Sequence, residues 1–309
     1  GNEIIEEKII SLSDCRDMAE IKFRIVAVAF FNLKLRILME HVKKPSWLKI
    51  NIGVNDRYTE TKRIVDTHGL HTICSSGRCP NMGECWGKGT ATFMIGGDIC
   101  TRSCKFCNTK SGRPLPLDGN EPESVARSVQ LMKLSHAVIT SVDRDDLEDM
   151  GASHWVKTLR KIKELNPAVT VEALIPDFQG NLELVKQVAS CGANIVSHNM
   201  ETVKRLTPVV RSVARYETSL EVIRAIAETG VTAKSGIMVG LGETVSEVEE
   251  LMDDLLEYGC RILTIGQYLQ PTHKHYPVKE YVTPQQFEAY KELGLKKGFA
   301  EVVSGPLVR

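Results

Sequence analysis

The sequence has no apolar stretch long enough to cross a bilayer. Its longest uncharged apolar run covers seven residues, 25–31, whereas a spanning helix needs about 20. There is no charge excess, since 39 Lys and Arg balance 39 Asp and Glu. That balance excludes a global basic field for nucleic acid and a disordered acidic tail. No secretion signal is visible. A disulfide framework is missing too, although the chain has nine cysteines. Such frameworks staple small secreted domains that lack a core. A chain of 309 residues, 42% hydrophobic and 25% charged, can instead build one large domain with an appendage. The expectation is a protein of the reducing cytoplasm whose cysteines hold metal.

Six of the cysteines fall in two tight groups. Cys100, Cys104 and Cys107 have C-x3-C-x2-C spacing, and Cys74, Cys79 and Cys85 have C-x4-C-x5-C spacing. Three thiols this close can converge on one metal centre. Iron–sulfur clusters usually take four thiolates. Three leave one iron open to a small molecule, which is the logic of a catalytic site and holds for zinc as well. The competing reading is structural zinc with His68 or His71 as fourth ligand, but zinc patterns commonly come as two C-x2-4-C pairs. Gly77, Pro80 and Gly83 are expected to keep the second group in turns. Cys15, Cys191 and Cys260 stand alone and read as small apolar core residues.

From residue 90 the pattern becomes regular. Apolar strand runs at 90–95, 137–140, 169–174, 193–197, 232–239 and 261–267 alternate with helical periodicity at 122–134, 153–164, 182–191, 218–229, 245–258 and 284–297. Thr244 with Glu247, and Thr283 with Gln286, have capping-box spacing, and Pro284 suits a first helical position. Gly192, Gly230 and Gly259 sit just past helix ends. Alternation of this kind implies an α/β fold with a parallel sheet and right-handed crossovers. Periodicity does not separate a doubly wound sheet from a barrel. Either way ligands collect at the carboxyl ends of the strands, and Cys100 follows the first strand directly. Upstream, 59–67 reads as a short helix. Residues 21–39 read as an element packed on the main domain rather than a membrane-surface amphipathic helix. Residues 1–43 have no assigned role.

The segment 99–109 resembles the cluster motif of radical S-adenosylmethionine enzymes, with Phe106 as its aromatic residue. Residues 72–86 resemble the auxiliary-cluster motif of the lipoyl synthase family. So do Gly89-Thr-Ala-Thr-Phe-Met, Ile139-Thr-Ser-Val-Asp-Arg-Asp-Asp-Leu147, Glu172-x3-Pro-Asp-Phe178, His198-Asn-x-Glu-Thr202, the run 234–244, the run 264–271 and the run 304–309. The resemblance spans about residue 44 to 309. It implies a partial (β/α)6 barrel over 90–298, an extension at 44–89 carrying an auxiliary cluster, and a tail at 299–309. The implied cofactors are two 4Fe-4S clusters and S-adenosylmethionine. The implied activity is radical insertion of two sulfur atoms at C6 and C8 of a protein-bound octanoyl group, with the auxiliary cluster consumed as sulfur source. The implied partners are an octanoylated lipoyl-carrier domain, an electron donor of ferredoxin or flavodoxin type, and a cluster-assembly carrier. Nucleic acid is not among them. One alternative is a methylthiotransferase-like enzyme, but the stretch before Cys74 is too short and irregular for that family's separate amino-terminal domain. Another is a zinc-binding interaction module.

The resemblance assigns Cys100, Cys104 and Cys107 to the radical-generating cluster and Cys74, Cys79 and Cys85 to the auxiliary one. It places Phe106 near adenine, the strand end at Thr140 and Ser141 near the methionine amino group, and Arg144 on the substrate. The residues themselves suggest more. Glu172, at a strand end, suits a ribose hydroxyl. Asn199 follows the fourth strand beside His198, a polar pair at the carboxyl edge that is expected to contact the cofactor. Lys234 lies in an apolar strand and needs a partner, such as a cofactor carboxylate. Gln267 and Gln270 bracket the last strand end as adenine contacts. His273 and His275 read as an exposed loop, and the Gly240-Leu-Gly-Glu243 run as a strand-to-helix turn. In the related family an Arg-Ser-Ser-Tyr motif follows Gly-Pro-Leu-Val, and its first serine completes the auxiliary cluster. This sequence ends at Arg309, the first residue of that motif, and Ser304 does not match the ligand position. The expectation is a truncated chain that does not fully ligate its auxiliary cluster.

Overall fold

In a strand, side chains alternate between faces. Thr90-Ala-Thr-Phe-Met-Ile95 therefore sends Ala91, Phe93 and Ile95 one way and Thr90, Thr92 and Met94 the other. A computed structural model describes residues 44–48, 56–67, 72, 82–87 and 90–308. It bears out this alternation, with Ala91, Phe93 and Ile95 almost fully buried. The strands are β1 (Thr90–Ile95), β2 (His136–Ser141), β3 (Thr170–Leu174), β4 (Ile195–Ser197), β5 (Thr232–Val239), β6 (Ile262–Gln267) and β7 (Glu301–Gly305). The helices after them are α1 (Glu121–Leu131), α2 (Ala152–Leu165), α3 (Leu182–Ala189), α4 (Tyr216–Glu228), α5 (Val245–Glu257) and α6 (Pro284–Lys297).

The seven strands form one sheet in sequential order, and every neighbouring pair is parallel. The order never reverses, as it must in a doubly wound sheet. Each helix also packs against the next, from α1 through α6, so the helices make one continuous layer. All crossovers therefore run the same way. The sheet is the wall of a barrel that stays open between β1 and β7. Residues 299–309 were expected as a tail but contribute β7, because Val302 packs into the core beside α6 and the strand pairs with β6.

Buried apolar stripes explain the helix layer. In α2, Trp155, Leu159 and Ile162 repeat at helical spacing and are buried, and Val248, Leu251, Met252 and Leu255 do the same in α5. The Thr244 capping box is complete. Thr283 caps α6 through the Gln286 backbone N–H, with Pro284 in the first turn. Gly192, Gly230 and Gly259 have φ of 98°, 81° and 85°, the left-handed turn expected after a helix. Cys191 and Cys260 are buried core residues.

The inner face of the sheet differs from the helix-facing one. Across the register, Met94, Thr140, Leu174, Ser197, Lys234 and Ile262 form one row. Val138, Glu172 and Ile195 form the row beneath. The concave side therefore intersperses Thr140, Ser197, Lys234 and Glu172 among apolar residues, while Ala137, Ile139, Val171, Ala173 and Val196 pack outward.

Before β1, helix Asp56–Thr67 packs on helix Met82–Gly87, which rests against β1. Thr72 bridges antiparallel to Phe93. Gly83 was expected in a turn but lies within the Met82–Gly87 helix, which buries Trp86 in the core. Among the described residues no helix is long and apolar enough to cross a membrane.

Candidate metal and cofactor site

The cysteine loop leaves β1 and returns on itself. A two-residue parallel ribbon joins Ile99–Cys100 to Lys110–Ser111, and the Gly112 N–H donates to the Cys100 carbonyl at 2.9 Å. The rest of the loop is held by other strand ends. The Thr101 N–H and hydroxyl both donate to the Asp143 carbonyl after β2. The Lys105 N–H donates to Val210 at 2.9 Å, and its carbonyl accepts from Tyr276 at 2.8 Å. His275 was expected in an exposed loop, but its Nε2 lies 3.0 Å from the Cys107 carbonyl and its Nδ1 2.8 Å from the Thr272 hydroxyl. A carbonyl only accepts, so Nε2 carries the proton and braces the loop.

Cys100, Cys104 and Cys107 are half-buried free thiols. Burial, reinforced by the Asp143 charge, pushes the Cys100 thiol up to about 12. Burial also raises Cys107. Such thiols become stable thiolates only against a strong positive charge, which is what bound iron supplies. Cys100 Sγ already accepts from the backbone N–H of Arg102 and of Asp143, at 3.4 and 3.3 Å. Three soft donors on one braced loop at a sheet's carboxyl edge fit a cluster with one open iron. Among the described residues no three His, Cys, Asp or Glu side chains close around a single ion.

One residue inside the motif was passed over in the sequence. Arg102 is buried and reaches Asp145 at 2.8 Å, Asp177 at 2.7 Å and Asp143 at 3.3 Å. It thereby ties the cysteine loop to the ends of β2 and β3. Burial works against its charge, but the bonds to Asp145 and Asp177 more than offset that. Burial likewise opposes the Asp177 carboxylate, and the Arg102 bonds hold it down at about 2. The 143–146 acidic loop is thus largely an internal ion network rather than a solvated one.

The concave row is also paired internally. Lys234 Nζ donates to both Glu172 oxygens at 2.8 and 2.9 Å, and the Ser197 hydroxyl donates to one of them at 3.1 Å. The partner of Lys234 is therefore Glu172 rather than a cofactor carboxylate. Burial disfavours the Glu172 charge, yet His136, Lys234 and Ser197 together hold it at about 2. Replacing Lys234 with Met leaves that buried carboxylate without its lysine, held only by His136 and Ser197. The expected loss is about 3–5 kcal/mol in urea unfolding, and a loss under about 1 kcal/mol would show that the pair is dispensable.

Asn199 lies over β5, where a Cβ on Gly236 would meet its Oδ1 at 2.8 Å and Thr264 Oγ1 at 2.7 Å. Only glycine lets the Asn199 amide occupy that place. Gly236→Ala should displace Asn199 and cost about 1–3 kcal/mol in urea unfolding, the range for overpacking a filled site; an unchanged midpoint would sink this. Glu201, two residues on, has φ of 64° and was missed in the sequence. Its backbone is stitched to Gly236 and Met238 of β5. Burial raises its carboxyl, against an opposing bond to Asn199. Strained backbone of this kind concentrates at functional sites.

Other expected contacts lie elsewhere. The Ser141 hydroxyl faces the helix layer and accepts from the Trp155 indole N–H at 3.2 Å, so it is not on the concave side. Gln267 shares the outward parity of Leu263 and Ile265 and is buried. Its amide donates to the Val239, Tyr268 and Glu280 carbonyls and accepts from the Val282 N–H. It clamps backbone on the outward side of the sheet, away from the concave face. Gln270 donates to the His275 carbonyl. Arg144 is buried, bonded twice to Asp146 and once to the Gly96 carbonyl. Thr140 is half-buried on the concave face, and Phe106 packs partly against the core. Cys85 lies on the Met82–Gly87 helix, whereas Cys74 and Cys79 fall outside the described residues, as does Cys15.

His198 faces outward, with Nδ1 3.0 Å from the Ile175 carbonyl and Nε2 3.0 Å from the Ser219 hydroxyl. Burial and then Arg211 lower it from 6.5 to about 4. The unfolded state binds its proton first, so this contribution is full above pH 6.5 and is lost as pH falls toward 4. The Glu172 contribution is full above 4.5 and is lost as pH falls toward 2. Urea midpoints should therefore begin to fall below about pH 6.5 and fall further below about 4.5. A midpoint flat down to about pH 4.5 would contradict the His198 assignment.

These features define an open parallel barrel with a three-cysteine loop at its ligand edge, and they belong to a recognised class: residues 94–255 match the radical SAM superfamily model. Solved structures with this fold include Streptococcus suis SuiB bound to precursor peptide SuiA (TM-score 0.55, 12% identity, covering 93% of this chain and 62% of that one). Methylornithine synthase PylB is another (TM-score 0.53, 13% identity, 88% and 82% covered). Sequence relatives are much nearer. Lipoyl synthase of Phocaeicola vulgatus is 73% identical over 271 residues, covering 88% of this chain and 95% of the relative. That of Bacteroides fragilis is 74% identical over 270 residues, covering 87% and 94%. That of Treponema denticola is 55% identical over 278 residues, covering 90% and 96%. The chain belongs to the lipoyl synthase family, radical S-adenosylmethionine enzymes of sulfur insertion that work with S-adenosylmethionine and 4Fe-4S clusters.

Proposed function

We propose that this chain inserts sulfur at C6 and C8 of an octanoyl group carried on a lysine of a lipoyl-carrier domain, in a reducing cytoplasm. Cys100, Cys104 and Cys107 would hold one cluster, with S-adenosylmethionine on its open iron, and Cys74, Cys79 and Cys85 the other. Bound there, the first supplies the electron that makes a deoxyadenosyl radical from S-adenosylmethionine, and the second supplies sulfur. The observation that carries the reading is the braced three-thiol loop at the carboxyl edge of an open barrel.

The chain's own residues set the conditions. Arg102 fixes the loop against β2 and β3. Glu172 and Lys234 place a neutralised polar pair on the concave face, and Asn199 and Thr140 are the polar groups there best placed to orient a cofactor. The outward positions of Ser141 and Gln267 and the engaged donors of Arg144 favour roles for them in shaping the fold.

The test is anaerobic incubation with S-adenosylmethionine, dithionite and an octanoyl-lysyl peptide, followed by mass spectrometry. The expected product carries two added sulfur atoms, and reconstituted protein should be brown with about eight irons. Deoxyadenosine without any sulfur-bearing peptide would refute sulfur insertion. A colourless, zinc-loaded protein would refute the cluster assignment.

A further inference from the structure

If the chain inserts sulfur as proposed, electrons must reach the Cys100–Cys107 loop singly from another molecule, and a docking surface for that molecule rests on the same reading. Three segments meet at the solvent-facing side of the loop. The Lys105 N–H bonds Val210, the Ser103 N–H reaches the Ser212 hydroxyl at 3.3 Å, and the Tyr276 N–H bonds Lys105. Cys104 Sγ lies 3.6 Å from Ser212 Oγ, and Ser103, Lys105 and Ser212 are exposed. This sulfur is thus one side chain away from water.

The surface around it has a definite character. Residues 103–110, 203–215 and 271–279 contain no Asp or Glu, in a chain whose acids and bases balance. Some of its cations are neutralised from outside these segments: Lys110 by Asp98, Lys204 by Glu217 and Arg205 by Glu247. Lys105 and Lys274 are exposed and have no carboxylate partner among the described residues. Between the basic groups, Val209 is 43% exposed and Val213 is 64% exposed. An apolar centre with a charged rim is the anatomy of a transient protein interface, and the rim's sign selects the partner.

We propose that this surface, centred on Val213 and rimmed by Lys105 and Lys274, docks an acidic one-electron carrier protein. Its charge complements an acidic partner, and its position brings that partner's redox group closest to the loop. The octanoylated carrier domain has a different requirement, since its acyl chain must enter the concave side of the barrel.

The experiment uses reconstituted enzyme carrying Lys274→Glu together with Val213→Glu. Deoxyadenosine formation is driven in parallel by photoreduced flavodoxin and by dithionite, and calorimetry measures flavodoxin binding at low salt. The expected result is roughly tenfold weaker flavodoxin binding and a similar fall in the flavodoxin-driven rate. The wild-type decline of that rate with salt should flatten. The dithionite-driven rate should match wild type, and Lys274→Arg should behave as wild type throughout. Unchanged flavodoxin binding and rate overturn the proposal. So does a rate lost with both reductants, which would place these residues in the cluster site. A raised KM for octanoylated carrier domain with flavodoxin binding intact also overturns it, and would give the surface to the carrier. Wild-type enzyme that makes no deoxyadenosine with dithionite would instead refute the functional reading itself.

Discussion

Replacing Cys104 with alanine is expected to abolish S-adenosylmethionine cleavage while leaving the protein folded. Cys104 is half-buried, and its sulfur contacts the exposed Ser212 hydroxyl. It is not among the core residues, so truncation opens no large cavity. The loop keeps its backbone bonds to Asp143, Val210 and Tyr276. In the proposed assignment it loses one of three cluster thiolates, and two do not secure a four-iron cluster. Deoxyadenosine formation should fall by at least roughly a thousandfold, as when an essential catalytic group is removed. Urea unfolding of the apoprotein should shift by less than about 1 kcal/mol. Cys79→Ala should separate the two activities, retaining cleavage and losing sulfur insertion. If both variants lose both activities equally while remaining folded, the division of labour between the two cysteine groups is unsupported.

Arg102→Met should be strongly destabilising. It removes the one cation that Asp143, Asp145 and Asp177 share, and it does so where Arg102 and Asp177 are almost fully buried. Breaking a buried ion pair by removing one partner costs about 3–5 kcal/mol, because the remaining charge is left uncompensated. Two anchors of the cysteine loop go with it, to the ends of β2 and β3. Cluster content should fall, and the loss of folding stability should shrink at low pH as the stranded carboxylates take up protons. Arg102→Lys should recover part of the stability but not the bidentate geometry, which needs a planar guanidinium. Iron analysis and urea unfolding at two pH values would check this. Iron content and stability both equal to wild type would show that the network is incidental.

Much of the fold was legible in the chain. Apolar runs and helical stripes placed the six strand–helix units within a few residues of their observed ends, because both periodicities follow from local geometry. The Thr244 box and the glycines after α3, α4 and α5 were legible for the same reason. The seventh strand was not. Glu301–Gly305 is short, and its identity as a strand comes from pairing with β6 and from Val302 packing near α6.

The site was legible only in part. Spacing singled out Cys100, Cys104 and Cys107, since a metal-binding loop is a local feature. The roles of Ser141, Gln267, Lys234 and Arg144 depended on which way each side chain points and what waits there. Ser141 meets Trp155, Gln267 meets four backbone groups, Lys234 meets Glu172 and Arg144 meets Asp146. Arg102 and His275 carried no local signal at all, because their partners lie far along the chain.

By itself the sequence determined the two cysteine groups, the alternation of strands and helices, and a family resemblance carried by contiguous motifs. Each of these is encoded in neighbouring residues, so it can be read without knowing where the chain goes. The tertiary structure alone decided that the sheet is singly wound and open, that an arginine inside the motif is the hub of a three-carboxylate network, and that Cys104 lies beneath an apolar, basic surface. Those facts come from charges and faces brought together across long stretches of chain, and only folding chooses which of them meet.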